Sequence, residues 1–501
     1  MKKTKIVCTM GPQENDIDLL SRMIEAGMDV ARFNFSHGTH EEQAERMESV
    51  RKARERTGRP IAMLLDTKGP EIRTGLLVDH KKVTLEAGKE IILTTEDIDG
   101  TAEKVSITYK KLYEDVKAGD TILVDDGLME LRVKEIDGED IICEIINGGE
   151  LSERKGCNVP GVRTQLPAIT EKDIEDIVWG IGQGFDVIAA SFIRDAAGVY
   201  QIKDLLKEHG STIPVFSKIE CSEAVDNIDE IIEASDGIMV ARGDLGVEVP
   251  LEEVPSIQKK LIRLAQEKGK ISITATQMLD SMMHNPRPTR AETTDVANAI
   301  YDGTAAIMLS GETAAGKYPI EAVKVMARIA ERAERDVDFV RQREEMNSVA
   351  FLSENLLDSK AGLTKGSFAL PAGGEAEQHA ITTASICRAS CIVAAETEAA
   401  AIVTVSISGF TAKQLSRLHP QQPIISCSPN VRVACQSNLL YGVVPLIIGM
   451  EDEEDKLFKA AISRARMTEL VKTGERIVLV AGVPLGASGN TNMVRVMEVT
   501  D

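Results

Sequence analysis

Eight short apolar segments, each followed by a helical pattern, constrain the fold of this chain more than any other feature. Near-continuous apolar strands that alternate with amphipathic helices indicate a parallel sheet covered by helices. Eight such units predict a closed (β/α)8 barrel, in the α/β class, rather than an open doubly wound sheet. The segments are KIVCT at 5–9, DVARFNF at 29–35, IAMLLD at 61–66, DVIAASF at 186–192, PVFSKIE at 214–220, GIMVARG at 237–243, ISITATQ at 271–277 and AAIMLSG at 305–311.

The helices between these strands follow from periodicity and from capping residues. Residues 251–268 carry an apolar stripe, and Gly269 is a natural stop before the seventh strand. Residues 222–234 predict one helix, with Ser222 as its N-cap.

Two segments do not follow the repeat, and the chain of 501 residues is long enough for about three domains. Residues 70–163 alternate apolar and polar residues between Gly and Asp turns, which predicts a small all-β domain inserted in the barrel. After a polar stretch at 341–378, strand and helix patterns resume, so 340–501 is expected to be an open α/β domain. The barrel itself is then predicted to comprise 1–69 and 164–339.

The net charge of −21 argues against a nucleic-acid partner, because phosphate backbones require a basic surface. A local cluster of Arg and Lys can still bind a small anion inside a cleft. The sequence has neither a transmembrane run nor a signal peptide, and its eight cysteines show no CxxC spacing. We therefore expect a cytoplasmic protein in a reducing compartment, without a membrane partner.

Polar residues are concentrated where the predicted strands end. In a β/α barrel the active site lies at this carboxyl-terminal face, and buried polar groups are costly unless they are paired or functional. This ring of side chains therefore predicts the active site. Its main members are Arg32, Asn34, Ser36, His37, Asp66, Thr67, Arg73, Lys218, Glu220, Asp244, Thr276 and Ser310.

The charges in this ring suit phosphoryl transfer. Arg32, Arg73 and Lys218 are expected to converge with the carboxylates of Glu220 and Asp244. Carboxylates, water and substrate oxygens are the ligands that Mg²⁺ or Mn²⁺ prefers. Arg and Lys can neutralise the remaining phosphate charge, and positioning with charge neutralisation is most of what this reaction requires.

A second group, Asn34, Ser36, Asp66 and Thr67, is rich in oxygen atoms and is expected to have no cation of its own. Such a group would suit a monovalent metal. His37 could act as a base, but a nucleotide contact or a loop hydrogen bond is an equally good interpretation.

The strand-end motifs, taken together and in order, resemble those of the pyruvate kinase family from about residue 3 to the C-terminus. The resemblance implies transfer of the phosphoryl group of phosphoenolpyruvate to ADP, which gives pyruvate and ATP in the last step of glycolysis. The motifs are FNFSHG at 33–38, LDTKGPEIRTG at 65–75, SKIE at 217–220, ARGDLGVE at 241–248, ATQMLDSM at 275–282, PRPTRAE at 286–292 and LSGETAAGKYP at 309–319.

The resemblance implies a role for each matching residue. Glu220 and Asp244 would bind the divalent metal, and Lys218 would stabilise the phosphoryl group during transfer. The backbone at Gly243 and Asp244 would hold the substrate carboxylate together with Thr276, as at other helix starts. The enolate would receive its proton through water, with Thr276 and Ser310 as candidates.

The resemblance also implies sites for the nucleotide and for potassium. Arg32 and Arg73 would bracket the transferred phosphate and the nucleotide, and the inserted β domain would close as a lid that excludes water. Glu71 matches the potassium-dependent branch of the family. The nucleotide-binding residues implied are Asn34, His37, Arg73, Asp126 and Lys155, and the potassium ligands implied are Asn34, Ser36, Asp66 and Thr67.

In the C-terminal region, SISGFTAKQL at 406–415 resembles the loop that binds an effector phosphate, through Ser408, Gly409 and Thr411. The later loop at 482–492 lacks the Trp and Arg that accompany fructose-bisphosphate control, which favours a monophosphate as the phosphorylated small-molecule effector. The resemblance further implies a homotetramer, and we expect a bacterial type without the extra C-terminal swivelling domain.

Two other functions would fit part of this pattern. A Mg²⁺-dependent barrel lyase or aldolase acting on phosphoenolpyruvate or pyruvate would explain Glu220 and Asp244, but neither the lid nor the monovalent site. A catalytically silent sugar-phosphate sensor working through 340–501 would not need intact Lys218. Dependence on ADP separates the three hypotheses.

Overall fold

A computed structural model describes residues 1–337, 375–451, 453–483 and 490–500. Eight parallel strands close into a barrel, in which the first strand pairs with the second and with the eighth. The predicted α/β barrel is therefore confirmed. Its strands are Lys5–Thr9, Val30–Asn34, Ala62–Asp66, Val187–Ala190, Val215–Ile219, Gly237–Ala241, Ile271–Ala275 and Ala306–Leu309.

The barrel strands are buried on both faces, which is why they appear in the sequence as continuous apolar runs. Alternate side chains of one strand point to opposite sides. Val7 therefore belongs to the apolar cluster inside the barrel, whereas Ile6 and Cys8 belong to the larger core between strands and helices. The inner cluster is closed from below by Leu439 of the C-terminal region.

The helices cover the strands from outside, and two of them differ from the prediction. The helix expected over 222–234 is interrupted at Asn227, whose side-chain amide donates to the carbonyl of Arg194 at 2.9 Å. Ser222 is the first helical residue and not the N-cap, which is Cys221. The barrel helices are Ile17–Ala26, His40–Thr57, Glu171–Gln183, Ala196–Glu208, Ser222–Asp226, Ile228–Ala234, Arg242–Glu248, Val254–Glu267, Arg290–Tyr301, Gly311–Ala314 and Pro319–Glu334.

Between the third and fourth barrel strands the chain forms a separate β structure with its own apolar core. A seven-stranded sheet and a two-stranded ribbon enclose that core, together with the short helix Leu112–Asp115. The strands of the sheet are Ile72–Arg73, Glu90–Thr94, Lys104–Ser106, Thr121–Val124, Met129–Asp137, Asp140–Asn147 and Gly156–Asn158, and those of the ribbon are Val83–Leu85 and Gly149–Leu151.

The C-terminal region is an open α/β structure whose five-stranded sheet has helices on its faces. Four strands are parallel, and the edge strand Met493–Glu498 is antiparallel. In sheet order the strands are Val443–Ile447, Ile424–Ser428, Ala401–Val405, Arg476–Ala481 and Met493–Glu498, and the helices are Glu375–Glu396, Phe410–Ser416, Val431–Gln436 and Glu454–Arg466.

The C-terminal region contacts the amino-terminal end of the barrel, opposite the predicted active site. The Gly442 N–H donates to the Lys3 carbonyl at 3.0 Å, and the Asn438 amide donates to the Pro60 carbonyl. Among the residues that the structure describes, none of the helices is both long and apolar enough to span a bilayer. Residues 341–374 of the predicted polar stretch at 341–378 and the centre of the loop at 482–492 lie outside the described residues, whereas 375–378 begin the helix Glu375–Glu396.

Candidate active site

Asp66 is the buried centre of the polar ring at the carboxyl ends of the strands. Its carboxylate accepts from Arg32 Nε at 2.6 Å and lies 3.2 Å from Lys218 Nζ. Burial alone would raise the pKa of Asp66, but the two cations outweigh burial and lower it. The prediction that the group Asn34, Ser36, Asp66 and Thr67 has no cation of its own is therefore wrong. Arg32 of the second strand and Lys218 of the fifth strand both pair with Asp66.

Lys218 lies on the fifth barrel strand and points into this ring. Its ammonium donates to Ser191 Oγ at 2.8 Å and lies 2.8 Å from Glu220 Oε1. Burial would lower the pKa of Lys218, but Asp66, Glu220 and Asp244 together raise it. A fixed positive charge is thus held at the centre of the mouth.

Glu220 and Asp244 form a pair of carboxylates beside this lysine. Glu220 is only 1% exposed, and its Oε2 accepts from the Phe192 N–H at 2.6 Å. Burial raises the pKa of Glu220 to about 7, Lys218 opposes the rise, and Asp244 adds to it. Two carboxylates that repel one another fit a bound cation. In the described part of the chain no group of three or more His, Cys, Asp or Glu side chains is arranged to hold a metal ion.

The ends of the sixth and seventh strands meet at Thr276. Its φ of 68° lies in the left-handed region, which is unfavourable for a β-branched residue and is typical of functional sites. The Gly243 N–H donates to Thr276 Oγ1 at 2.8 Å. Arg242 holds this arrangement, because it donates to the Thr276 carbonyl at 2.7 Å and to Asp295 at 2.6 Å. Sequence reasoning missed Asp295, because its support of the site depends on a contact with Arg242, which is distant in the chain.

Ser310 follows the eighth strand. Its hydroxyl is buried and makes no hydrogen bond within the described structure. The backbone beside it is held by Glu312, which accepts from the N–H groups of Ser310 at 2.7 Å and Leu279 at 3.0 Å. A buried hydroxyl without a partner is costly unless a ligand or water satisfies it.

A cleft of about 1000 Å³, including its opening to solvent, separates the barrel mouth from the inserted β structure. The predicted residues Arg73, Asp126, Lys155 and Asp244 all line it. Arg73 donates from Nε to Glu71 at 2.7 Å, and this hydrogen bond, opposed by burial, raises the pKa of the guanidinium.

A hydrogen bond joins the two walls of this cleft. The Asn158 amide, on a strand of the inserted structure, donates to Glu248 Oε1 of the barrel at 2.9 Å. Burial raises the pKa of Glu248, and the hydrogen bond from Asn158 opposes that rise.

The other residues predicted to bind potassium lie next to Asp66. Asn34 Oδ1 accepts from the Ser36 N–H at 3.0 Å, and Thr67 Oγ1 accepts from the Ser191 N–H at 3.0 Å. These oxygens are adjacent to Asp66 but already have protein donors. His37 lies in an exposed turn beyond the second strand.

The predicted effector loop belongs to the C-terminal region. Gly409 adopts a φ of 73° and donates its N–H to Ser406 Oγ at 3.0 Å. Thr411 Oγ1 shares a hydrogen bond of 2.7 Å with Thr491 Oγ1, whereas Ser408 faces the barrel. The side chains of Thr411 and Ser408 therefore have different surroundings.

A barrel mouth that holds a buried lysine and arginine beside a pair of carboxylates, under an inserted β structure, belongs to an enzyme that binds an anionic substrate together with a cation. The comparisons identify which such enzyme. The family described as "Pyruvate kinase, barrel domain" matches residues 1–323, and "Pyruvate kinase, alpha/beta domain" matches residues 384–497. The chain belongs to the pyruvate kinase family, and it is a phosphotransferase.

Similar proteins over the full length support this assignment. The chain is 47% identical to a pyruvate kinase of Staphylococcus aureus (strain MRSA252) and 46% identical to one of Geobacillus stearothermophilus. Each comparison covers 100% of this chain and 81% of the relative.

Proposed function

We propose that this chain transfers the phosphoryl group of phosphoenolpyruvate to ADP, forming pyruvate and ATP. The observation that carries the proposal is the position of Lys218, whose ammonium lies 2.8 Å from Glu220 and 3.2 Å from Asp66. A fixed cation in a buried mouth can stabilise negative charge on a phosphoryl group in transit without reorganisation of solvent.

Glu220 and Asp244 would hold Mg²⁺ or Mn²⁺, because paired carboxylates suit a hard divalent cation. When bound, that ion supplies charge neutralisation for the phosphoryl oxygens. Lys218 and Arg32 would clamp the same oxygens from the barrel side. The substrate carboxylate would be held by Gly243, Asp244 and Thr276. It would share the Gly243 N–H with Thr276 Oγ1, which accepts from that N–H.

The enolate that remains after transfer needs a proton. Ser310 and Thr276 are proposed to deliver it through water, since a hydroxyl alone has an unsuitable pKa. The buried Ser310 hydroxyl, without a partner in the described structure, supports this assignment.

The nucleotide is proposed to occupy the cleft beneath the inserted structure. Arg73, Asp126 and Lys155 line this cleft; the remaining contacts proposed are Asn34 and His37. Closure of the inserted structure over the cleft would exclude water.

Potassium is proposed to bind Asn34, Ser36, Asp66 and Thr67, with Glu71 as the mark of the potassium-dependent branch. Asp66 would offer this ion a carboxylate that also pairs with Arg32 and Lys218. Replacement of K⁺ by Na⁺ in the assay tests it directly.

We further propose a functional division into a barrel (1–69 and 164–339), a lid (70–163) and a regulatory domain (340–501). The regulatory domain would bind a phosphorylated effector through Ser408, Gly409 and Thr411, and four chains would assemble. The eight free cysteines support a reducing, cytoplasmic setting.

The decisive experiment measures pyruvate formation from phosphoenolpyruvate, with and without ADP, for wild type and Lys218→Met. We expect strict ADP dependence and a loss of about 10³-fold or more in kcat for the variant, as for removal of a principal electrostatic stabiliser. Lys260→Met, which removes an exposed lysine, should retain wild-type kcat. Pyruvate formation without ADP would favour the lyase, and full activity of Lys218→Met would refute the role of that lysine.

A further inference from the structure

The turn that follows the second barrel strand is bound by one buried glutamine. Gln43 lies on the helix His40–Thr57 and is 2% exposed. Its side-chain amide nitrogen donates to the Asn34 carbonyl at 3.1 Å and to the His37 carbonyl at 2.9 Å. A primary amide has two N–H groups, so Gln43 uses both of them to hold the first and last residues of this turn.

This turn carries two of the residues proposed to bind potassium, Asn34 and Ser36. The Ser36 N–H donates to Asn34 Oδ1 at 3.0 Å. The Phe35 N–H donates to the Asp66 carbonyl at 3.0 Å, which joins the turn to the third strand and to a further proposed ligand. The positions of these oxygen atoms relative to one another therefore depend on the conformation of the turn.

The helix that carries Gln43 is anchored at its first residue. His40 Nε2 lies 2.6 Å from Asp176 Oδ1, and the His40 ring stacks on Trp179 with 4.5 Å between ring centroids and 12° between ring planes. Asp176 and Trp179 both belong to the helix Glu171–Gln183. Gln43 thus reaches the turn from a helix that is itself fixed, and a side chain on a rigid element can hold ligands precisely.

We infer that Gln43 is a positioning residue for the monovalent cation: it fixes the turn that carries Asn34 and Ser36, and so sets the affinity of this chain for K⁺. This role rests on the proposed potassium site and adds a residue that does not touch the ion. An amide that served folding alone would change the stability of the protein and leave the affinity for K⁺ as it is. A positioning residue changes the affinity, because ligands held loosely bind an ion less tightly.

The test is a titration of the full chain with KCl in the presence of Mg²⁺ and phosphoenolpyruvate. Tetramethylammonium chloride keeps the ionic strength constant, and ADP is omitted so that the nucleotide does not react. Trp179 is the one tryptophan of the sequence, and its emission reports on the turn because its ring stacks on His40. Gln43→Met has a side chain of similar size without a donor. We expect it to raise the K⁺ midpoint about tenfold, since two hydrogen bonds to the turn are lost.

The matched control is Gln266→Met. Gln266 also lies on a barrel helix, Val254–Glu267, and its amide donates to the Gly303 carbonyl at 3.0 Å. Gly303 precedes the eighth strand and therefore lies at the other end of the barrel. This control also loses an amide hydrogen bond but should keep the K⁺ midpoint within about twofold of wild type, because distant sites act independently.

A smaller change tests the same hydrogen bonds. Gln43→Asn keeps the amide on a side chain that is one methylene shorter, so it cannot hold both carbonyls at their present distances. We expect the K⁺ midpoint to rise about threefold, as for partial loss of the two hydrogen bonds. This variant decides the question if Gln43→Met does not fold.

Two further measurements complete the test. K⁺ should raise the Tm of wild type and of Gln266→Met more than that of Gln43→Met, because a ligand stabilises a protein according to its affinity. In the pyruvate assay, the K⁺ concentration that gives half of the maximal rate should rise in Gln43→Met by the same factor as the binding midpoint.

Wild-type K⁺ midpoints in folded Gln43→Met and Gln43→Asn would overturn the inference. So would a wild type in which neither Trp179 emission nor Tm responds to K⁺. If the binding midpoints shift as expected but no pyruvate forms with ADP, the role of Gln43 stands and the proposed reaction is wrong.

Discussion

Single residues in this protein ionise according to their surroundings rather than their type. Asp66 keeps its charge under full burial because two cations hold it, whereas Glu220, nearly as buried, has a pKa raised to about 7. Desolvation acts on both carboxylates, so the difference lies in how many opposite charges reach each one. The partly neutral Glu220 is the one beside Asp244, where a cation would restore its charge.

His419 provides a test of the same principle away from the active site. Its ring stacks on Tyr441 with 3.9 Å between ring centroids, and burial lowers its pKa from 6.5 to about 4. Above pH 6.5 the residue is neutral in both folded and unfolded chains. As the pH falls from about 6.5 to about 4, only the unfolded chain takes up a proton, and the folded state loses stability by roughly 2–3 kcal/mol.

His419→Asn should remove this pH dependence, and Asn tolerates the φ of 42° found at this position. The measurement is Tm at pH 7.5 and at pH 5 for both proteins. We expect the acid-induced drop in Tm to be smaller in the variant. An identical drop would mean that His419 titrates normally in the folded protein.

At the scale of elements, the barrel strands were predictable because a strand buried on both faces must be apolar along its whole length. Most of their carboxyl ends were predicted one or two residues too late, because residues 191–192, for example, leave the sheet to supply polar groups to the mouth. The break at Asn227 was not predictable. The apolar periodicity continues across it, and the hydrogen bond that stabilises the break goes to Arg194, distant in sequence.

The residues of the candidate site could be predicted from the sequence, but the ion pairs between them could not. The strand ends named Lys218, Glu220 and Asp66, because polar residues there need a reason. Whether these side chains share one charge network depends on how the strands are arranged around the barrel. The prediction that Asp66 lies in a group without a cation was wrong for this reason. The left-handed backbone at Phe192 and Thr276 had no residue-type signal, since neither position is Gly.

The strand Gly156–Asn158 and the helix Arg242–Glu248 meet through one hydrogen bond, and this contact is expected to control lid closure. Asn158→Asp would place two carboxylates 2.9 Å apart in place of that bond. We expect KM for ADP to rise by about tenfold, with a smaller effect on KM for phosphoenolpyruvate, since like charges at this separation repel by more than 1 kcal/mol.

The control is Asn147→Asp, in the same β structure, where the exposed amide donates to the Leu128 carbonyl of that structure and not to the barrel. Steady-state kinetics and hydrogen exchange over residues 70–163 measure the effect. If KM for ADP stays unchanged in Asn158→Asp while exchange is also unchanged, the contact has no part in closure.

At the scale of the whole molecule, the first residues of the chain join the barrel to the C-terminal region. Glu334, 6% exposed, accepts from the N–H groups of Lys3 and Thr4 at 2.7–2.9 Å. The Lys3 carbonyl in turn accepts from Gly442. Glu334→Ala should therefore lower stability by about 2–3 kcal/mol and Tm by roughly 5–10 °C, because several hydrogen bonds to one charge are lost.

Glu331→Ala is the matched control for this prediction. Glu331 lies one turn earlier, is 42% exposed and pairs with the amino terminus at 3.5 Å. A pair this exposed contributes little, so we expect its Tm to stay within about 2 °C of wild type. Equal Tm values for the two variants would show that Glu334 does not anchor the first residues.

Closure of the barrel by its first and eighth strands has a consequence for synthesis. Cys8 pairs with Leu309, about 300 residues later in the chain. At about 5–20 residues per second, the first strand leaves the ribosome roughly 15–60 s before its partner exists. During that time an apolar strand has one unpaired edge, which is a template for aggregation. The nascent chain is thus expected to need a chaperone until its last barrel strand emerges, whereas the inserted β structure, with a core of its own, can fold earlier.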